Sequence, residues 1–218
     1  MADDPAWAAV DRYLEAALLV DDPALAGVGA RNQAAGLQPI DVSPLQGQLL
    51  ALMVRISGAR RILEIGTLGG YSAICMARAL PEDGELVTLE IDPETAAVAI
   101  DNIEAAGLSD RVEVRVGAAL DTLATLDGVF DFIFIDADKR NNASYLEAAL
   151  RLSRPGAVII VDNVVRSGGV IDAHKTDLHT KGNRAMFDML RHHPQLDATA
   201  LQTVGAKGWD GFMMAVVR

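Results

Sequence analysis

From Arg61 onward, short runs that are almost wholly apolar alternate with stretches of helical periodicity, five times in succession. The runs cover residues 61–65, 85–90, 111–116, 130–135 and 157–161; the helical stretches cover 72–79, 93–106, 119–126, 144–152 and 183–191. A strand buried on both faces has no polar side to alternate with, so such runs belong to a parallel sheet with helices packed on each face. Two further strand patterns, 198–204 and 212–217, flank the turn-rich Gly205-Ala206-Lys207-Gly208-Trp209-Asp210-Gly211, the spacing of an antiparallel pair whose turn Trp209 packs. The expected fold class is α/β: a Rossmann-like, doubly wound sheet of seven strands, mostly parallel with an antiparallel last strand, helices on both faces and extra N-terminal helices. In that N-terminal part, residues 7–20 and 44–56 are amphipathic and a connection containing Gly, Ala and Pro joins them. A length of 218 residues without a linker points to one domain, 1–218, with 1–57 as a helical cap or dimer segment and 58–218 as the Rossmann-like core.

The first apolar run ends in Gly66-Thr67-Leu68-Gly69-Gly70-Tyr71-Ser72, a glycine turn opening into a helix. Glycines serve where backbone turns sharply or approaches something closely, and a serine at a helix start can cap free N–H groups beside an anion. A dinucleotide fingerprint needs a glycine where this chain has Leu68, which disfavours a pyrophosphate ligand. The second run ends in Glu90, a carboxylate suited to a ribose diol. A turn for an amino-acid end, an acid for a ribose and no phosphate cradle together describe S-adenosylmethionine.

The composition removes other classes. A formal net charge of −11 and a pI of about 4.7, with no run of Lys or Arg, argue against nucleic acid as partner. No apolar run approaches the roughly 20 residues of a membrane span, and Met1-Ala2-Asp3-Asp4-Pro5 is acidic where a secretory signal is basic, so the expected compartment is the cytoplasm. The single cysteine, Cys75, falls on the apolar side of its helix and reads as core.

The fourth run closes in Asp136-Ala137-Asp138-Lys139 and the fifth in Asp162-Asn163. In an open α/β sheet the ligand site lies beyond the carboxyl ends of the strands, and neighbouring strands stand about 4.8 Å apart. A lone strand-end Asp is ordinarily a helix cap or a solvated group, but convergence from two strands makes a ligand set. Two carboxylates and an amide oxygen form a hard, all-oxygen set suited to Mg²⁺, Mn²⁺ or Ca²⁺ and poorly suited to zinc. Lys139, three residues past Asp136, would have its ammonium form disfavoured beside such an ion and can serve as a base. The histidines, His174, His179, His192 and His193, lack ligand spacing and stay outside the site.

The segments Leu63-Glu64-Ile65-Gly66-Thr67, Gly70-Tyr71-Ser72, Leu89-Glu90, Val116-Gly117-Ala118-Ala119, Phe134-Ile135-Asp136-Ala137-Asp138-Lys139 and Val161-Asp162-Asn163-Val164 resemble those of the cation-dependent class I O-methyltransferases, which include the catechol and caffeoyl-CoA O-methyltransferases. The resemblance covers nearly the whole chain. It implies methyl transfer from S-adenosylmethionine to a phenolic hydroxyl of a small vicinal dihydroxy compound, with Asp136, Asp162 and Asn163 on the metal and Lys139 assisting removal of the phenolic proton. It also implies that Glu64, Gly66 and Ser72 meet the methionine part, Glu90 the ribose and Ala119 the adenine region. Val42 and Ser43 line the cofactor from the N-terminal segment, and Thr67, Gly70, Tyr71 and Asp136 complete its surroundings. A homodimer is implied too, and the apolar N-terminal helices suit one.

Departures from the family bear on the substrate. After Asp162-Asn163 the family commonly carries a tryptophan, where this chain has Val164-Val165-Arg166-Ser167-Gly168-Gly169. Arg166 reads as a solvated loop cation, with recognition of a substrate carboxylate as its other role. Gln46 and Asn142 replace a commonly acidic and a commonly aromatic residue, so a plant-type coenzyme A ester pocket is not assumed. Two competing readings are a non-catalytic module that binds a nucleoside cofactor and a nicotinamide-dependent oxidoreductase. Joint retention of Asp136, Lys139, Asp162 and Asn163 opposes the first; Leu68 and the lack of a catalytic Tyr-x-x-x-Lys oppose the second.

Overall fold

The computed structural model describes residues 5–218, so the acidic start Met1–Asp4 lies outside the described residues. Three helices open the chain, α1 (Pro5–Leu18), α2 (Pro23–Ala34) and α3 (Pro44–Ser57). The core follows as β1 (Arg61–Ile65), α4 (Tyr71–Ala79), β2 (Glu85–Glu90), α5 (Pro93–Ala105), β3 (Val112–Val116), α6 (Ala119–Thr125), β4 (Phe130–Ile135), α7 (Asn142–Arg151), β5 (Ser153–Asp162), α8 (Leu178–Leu190), β6 (Leu196–Gly205) and β7 (Gly208–Val217). The seven strands form one sheet in the order β3-β2-β1-β4-β5-β7-β6, in which only β7 runs against its neighbours. Reversal of the order between β1 and β4 puts the topological switch point there, where ligands of open α/β sheets bind.

Strand parity sorts the core into two layers. Leu63, Ile65, Ile133, Ile135, Ile159 and Val161 face α6, α7 and α8, while Ile62, Phe132, Phe134, Val158 and Ile160 face the side of α3, α4 and α5. Both sides are filled at β1, β2, β4 and β5, which is why those strands read as apolar runs; β3, expected as another such run, lies at the sheet edge and alternates valine with Glu113 and Arg115.

The structure corrects three expectations. The connection between the amphipathic N-terminal segments is itself helical: α2 is capped by Asp22, whose carboxylate accepts the N–H groups of Ala24 at 3.0 Å and Leu25 at 3.2 Å. Six glycine and alanine positions in Pro23–Ala34 dilute its apolar stripe, and the cap outweighs them. Helix α8 starts at Leu178, not 183, because Asp177 caps it through Thr180 N–H at 3.0 Å. Strand β5 starts at Ser153, not 157: Phe130 pairs with Ser153, and a bulge containing Pro155 and Gly156 precedes the regular ladder.

The terminal antiparallel pair forms, but its strands are longer than expected: only Ala206 and Lys207 lie at its tip, so Gly208–Gly211, Trp209 included, belongs to β7 and pairs with β6 instead of forming the turn. Asp11 of α1 reaches that tip and accepts Ala206 N–H at 2.7 Å. Helix α3 lies close on α4 because Gly47 leaves room for Cys75 and Tyr71. Cys75 is buried, and burial pushes its thiol up to about 12, so it behaves as a small core side chain. Among the described residues, no helix is long and apolar enough to cross a membrane.

Candidate active site

The carboxyl ends of five adjacent strands form a row. Ile65 is in register with Leu89 on one side and Ile135 on the other, Ile135 with Val161, and Glu90 with Val116. Gly117, Glu90, Gly66, Asp136 and Asp162 therefore stand at the tips in that spatial order, and the sheet brings together residues far apart in sequence.

The glycine turn is held by the protein itself. Gly66 has φ +101°, and a Cβ there would stand 2.8 Å from the carbonyl carbon of Asp136 and closer still to its oxygen. Leu68 sits at φ +48°, which aims its N–H at Glu90, whose Oε2 accepts it at 2.9 Å. Glu90 Oε1 also accepts Ile91 N–H at 2.9 Å and Asp92 N–H at 3.1 Å, so its carboxylate is locked while keeping free lone pairs for a diol. Gly69 abuts Asn32 of α2, and Asn102 of α5 donates to Gly69 O at 2.8 Å and Asn32 Oδ1 at 3.0 Å. Asn32 in turn donates to Asp41, anchoring the segment that carries Val42 and Ser43.

One sequence-derived residue takes a different local role from the one expected. Ser72 does not cap α4; Gly70 is the N-cap and makes no side-chain cap bond. The Ser72 hydroxyl donates to Glu64 Oε1, and Thr88 donates to Glu64 Oε2 at 2.6 Å, with Thr67 bonded to Thr88 at 2.6 Å. Even parity turns Glu64 toward α4, beneath the turn, with no exposed surface. Ser43 caps α3 through Gln46 N–H at 3.2 Å, and Val42 is buried. Tyr71 is half-buried, and burial raises its phenol to about 12. Ala119 opens α6 beside Gly117 and Ala118.

Burial pushes the Glu64 carboxyl up to about 8 against the lowering pull of its two hydroxyl donors, with Asp136 and Glu90 adding a smaller upward push. The folded chain thus keeps a proton that the unfolded chain releases near pH 4.5. The stability associated with neutral Glu64 is complete below about 4.5 and is lost as pH rises toward about 8. In the cofactor-free protein the melting temperature should fall across that window, and Glu64→Gln should flatten the fall. Thermal unfolding of both proteins from pH 5 to 8 measures it; parallel slopes would show that Glu64 is not the titrating group.

At the other end of the row, Asp136 and Asp162 face each other. Lys139 is buried in a 3₁₀ turn (Lys139–Asn141), and its Nζ bonds Asp136 Oδ1. Asp138 braces this turn, accepting the Tyr145 hydroxyl, Asn141 Nδ2 at 2.7 Å and Arg140 Nε at 2.7 Å. Asp162 is 5% exposed and accepts Asn163 N–H at 2.8 Å and Gln46 Nε2 at 2.7 Å. Its carboxyl is raised to about 7, first by burial and then by repulsion from Asp136. Asn163 is held at φ +55°. Lys207, at the hairpin tip, lies in the field of Asp41, Asp136 and Asp162.

The neighbouring loop is tied to the hairpin. Asp210 accepts the N–H groups of Val165 at 3.0 Å and Arg166 at 2.9 Å, and Trp209 packs over Gly168 while its indole donates to Gln202 at 3.0 Å. Trp209 therefore secures this loop as well as its own turn. Arg166 is exposed.

Thr88 and Asn183 were missed as parts of this site, and Gln46 and Asn142, noted only as departures bearing on the substrate, were missed as hydrogen-bond partners within it. Thr88 had a signal, a polar residue at the same parity as Glu64 in an apolar strand. The amides had none, since their partners are distant in sequence.

A family profile described as O-methyltransferase matches residues 21–214. The chain is 54% identical over 210 residues to a catechol O-methyltransferase of Mycobacterium tuberculosis, covering 96% of this chain and 95% of that protein. It is 47% identical over 213 residues to a catechol O-methyltransferase of Niastella koreensis, covering 96% of each. Its fold matches that of an O-methyltransferase from Bacillus cereus in complex with S-adenosylhomocysteine (TM-score 0.96, 54% identity, 98% of this chain and 99% of that one). It also matches an O-methyltransferase from Streptomyces achromogenes in complex with S-adenosylmethionine (TM-score 0.95, 45% identity, 100% and 99%). Row, turn and matches agree: this chain belongs to the class I O-methyltransferase family and is an S-adenosylmethionine-dependent O-methyltransferase.

Proposed function

We propose that the enzyme is divalent-cation-dependent and methylates one hydroxyl of a small aromatic compound bearing two vicinal hydroxyls. The observation that carries this reading is the pair Asp136 and Asp162, side by side at the ends of β4 and β5, one strand from the Gly66 turn and with Lys139 against Asp136. The oxidoreductase and binding-module readings give way to family membership.

The donor chemistry fits a hard cation. Asp136, Asp162 and the Asn163 amide offer only oxygen, and the amide makes no hydrogen bond of its own among the described residues. A buried Asp162 carboxylate and the partly exposed Asp136 carboxylate beside it repel each other and would be stabilised by a cation between them. Mg²⁺ is the first choice, with Mn²⁺ or Ca²⁺ as alternatives; once bound, the ion would chelate both hydroxyls, acidify the attacking one and fix its angle.

The chain's own residues supply the rest. Glu90 holds the ribose diol, and the first-turn N–H groups of α4, left without a side-chain cap, face the anionic end of the methionine part. Glu64 supports Ser72 and the turn from below. Ala119 borders the adenine region. As the C–S bond of the sulfonium breaks and the O–C bond forms, Lys139 Nζ, held as the neutral amine, accepts the phenolic proton and becomes the ammonium, leaving methyl ether and S-adenosylhomocysteine. Arg166 and Lys207 are the cations available to an acidic ring substituent.

The exposed apolar residues Val10 and Tyr13 of α1 and Leu52 and Ile56 of α3 support a homodimer through the 1–57 segment, with 58–218 as the catalytic core. The assay that tests the reaction supplies methyl-labelled cofactor, a panel of catechols and hydroxycinnamates, and either Mg²⁺ or excess chelator. Methyl ether formed with Mg²⁺ and lost with chelator is the expected result. Transfer that survives chelation sinks the metal mechanism.

A further inference from the structure

Two fully buried asparagines take no part in the chemistry above. Asn142 opens α7, Asn183 lies in α8, and Asn142 Nδ2 donates to Asn183 Oδ1 at 2.7 Å. Asn183 Nδ2 donates to the backbone carbonyl of Asn163 at 3.0 Å. The sense of this chain is fixed from one end. A backbone carbonyl only accepts, so Asn183 must turn its Nδ2 toward Asn163 and its Oδ1 toward Asn142, which must then present Nδ2. Asn142 Oδ1 is left buried without a partner among the described residues. An unpaired buried acceptor is a net cost, so the pair is a poor device for stability alone.

What it holds is a residue in a costly conformation. Asn163, at φ +55°, follows Asp162 directly, and its carbonyl is the atom that Asn183 grips. The same turn of α8 presses on the other half of the site. At Gly182 a Cβ would stand 2.6 Å from Cα of Arg140 and collide with the Lys139 carbonyl oxygen, so helix backbone lies directly on the 3₁₀ turn that carries Lys139. Gly182 and Asn183 thus bridge the loop after β4 and the loop after β5.

We propose that Asn183, braced by Asn142, is a positioning residue that fixes the backbone angle of Asn163 so that its side chain joins Asp136 and Asp162 on the divalent cation, keyed to the turn bearing Lys139. This rests on the metal reading above. Outer partners of metal ligands typically govern affinity by about 10- to 100-fold.

The test is a Mn²⁺ titration followed by loss of the free-ion electron paramagnetic resonance signal, paired with calorimetric binding of S-adenosylhomocysteine. Wild type, Asn183→Leu, Asn183→Asp and Asp162→Asn are compared. Asn183→Leu should weaken Mn²⁺ about 10-fold or more while cofactor-product affinity stays within about threefold. If the leucine variant does not fold, Asn183→Asp serves: it keeps the acceptor for Asn142 and places an oxygen against the Asn163 carbonyl, with the same selective loss expected. Unchanged Mn²⁺ affinity in a folded variant overturns the role. So does a parallel loss of both affinities, the mark of a merely structural residue. Wild type and Asp162→Asn titrating alike overturns the metal reading itself, and this role with it.

Discussion

Asp162→Asn should lower metal-stimulated methyl transfer about a thousandfold while leaving the fold intact. The substitution keeps size and shape. Its Oδ1 still accepts Asn163 N–H, and rotation of the Gln46 amide lets Oε1 accept from the new Nδ2 where Nε2 now donates. What is lost is one of the two negative charges that would face the proposed cation. A bound metal supplies several kcal/mol of charge stabilisation, and about 1.4 kcal/mol is tenfold, hence the predicted size. Instability cannot imitate the result. The Asp162 carboxyl is raised to about 7, so the folded state carries a cost above that pH that the neutral amide removes. The cofactor-free variant should melt at pH 8 no lower than wild type. Activity within tenfold of wild type, with Mg²⁺ saturating, would remove Asp162 from the ligand set.

The parts of this molecule legible from sequence are those whose cause is local. Apolar runs marked β1, β2, β4 and β5, because burial on both faces leaves no other pattern, whereas β3 at the sheet edge alternates; strand ends in carboxylates marked the edge at which chemistry gathers. Helix α2 was hidden because its start depends on one Asp22 cap and its stripe is interrupted by Gly27 and Gly29. The start of α8 was hidden in the same way behind Asp177. The amides Gln46 and Asn183 were illegible for a different reason: each meets its partner across 116 and 20 residues, and glutamine or asparagine on a helix carries no pattern of its own.

For Glu64 and Gly66 the structure shows a role within the protein beside the cofactor contact expected of them. Glu64 was expected at the methionine part of the cofactor; it lies under the turn, fully buried, and orients Ser72. Gly66 was expected to admit a ligand, and what approaches it is the backbone of Asp136. In both cases the residue type was informative because the position is crowded, while the identity of the crowding group depended on how β4 lies against β1.

That distinction predicts the largest loss of stability. Gly66→Ala should lower the melting temperature by roughly 10 °C, and Gly107→Ala by a few degrees at most. Both glycines have positive φ, +101° and +71°, so both substitutions strain the backbone, by about 1–2 kcal/mol. Nothing lies within 4 Å of a Cβ at Gly107. At Gly66 the Cβ meets the carbonyl of Asp136 and stands 3.1 Å from Ala137 N, and backbone atoms have no alternative rotamer. Relief requires β1 and β4 to part at their tips, an overpacking cost of about 1–3 kcal/mol beyond the strain. At 2–4 °C per kcal/mol for a chain of this size, the sum gives roughly that shift. The same parting moves Asp136 away from Asp162, so Gly66→Ala should weaken Mn²⁺ as well as cofactor binding, whereas Gly107→Ala leaves both unchanged. Equal melting shifts in the two variants would show that conformation alone, and not the close passage of Asp136, requires glycine at 66.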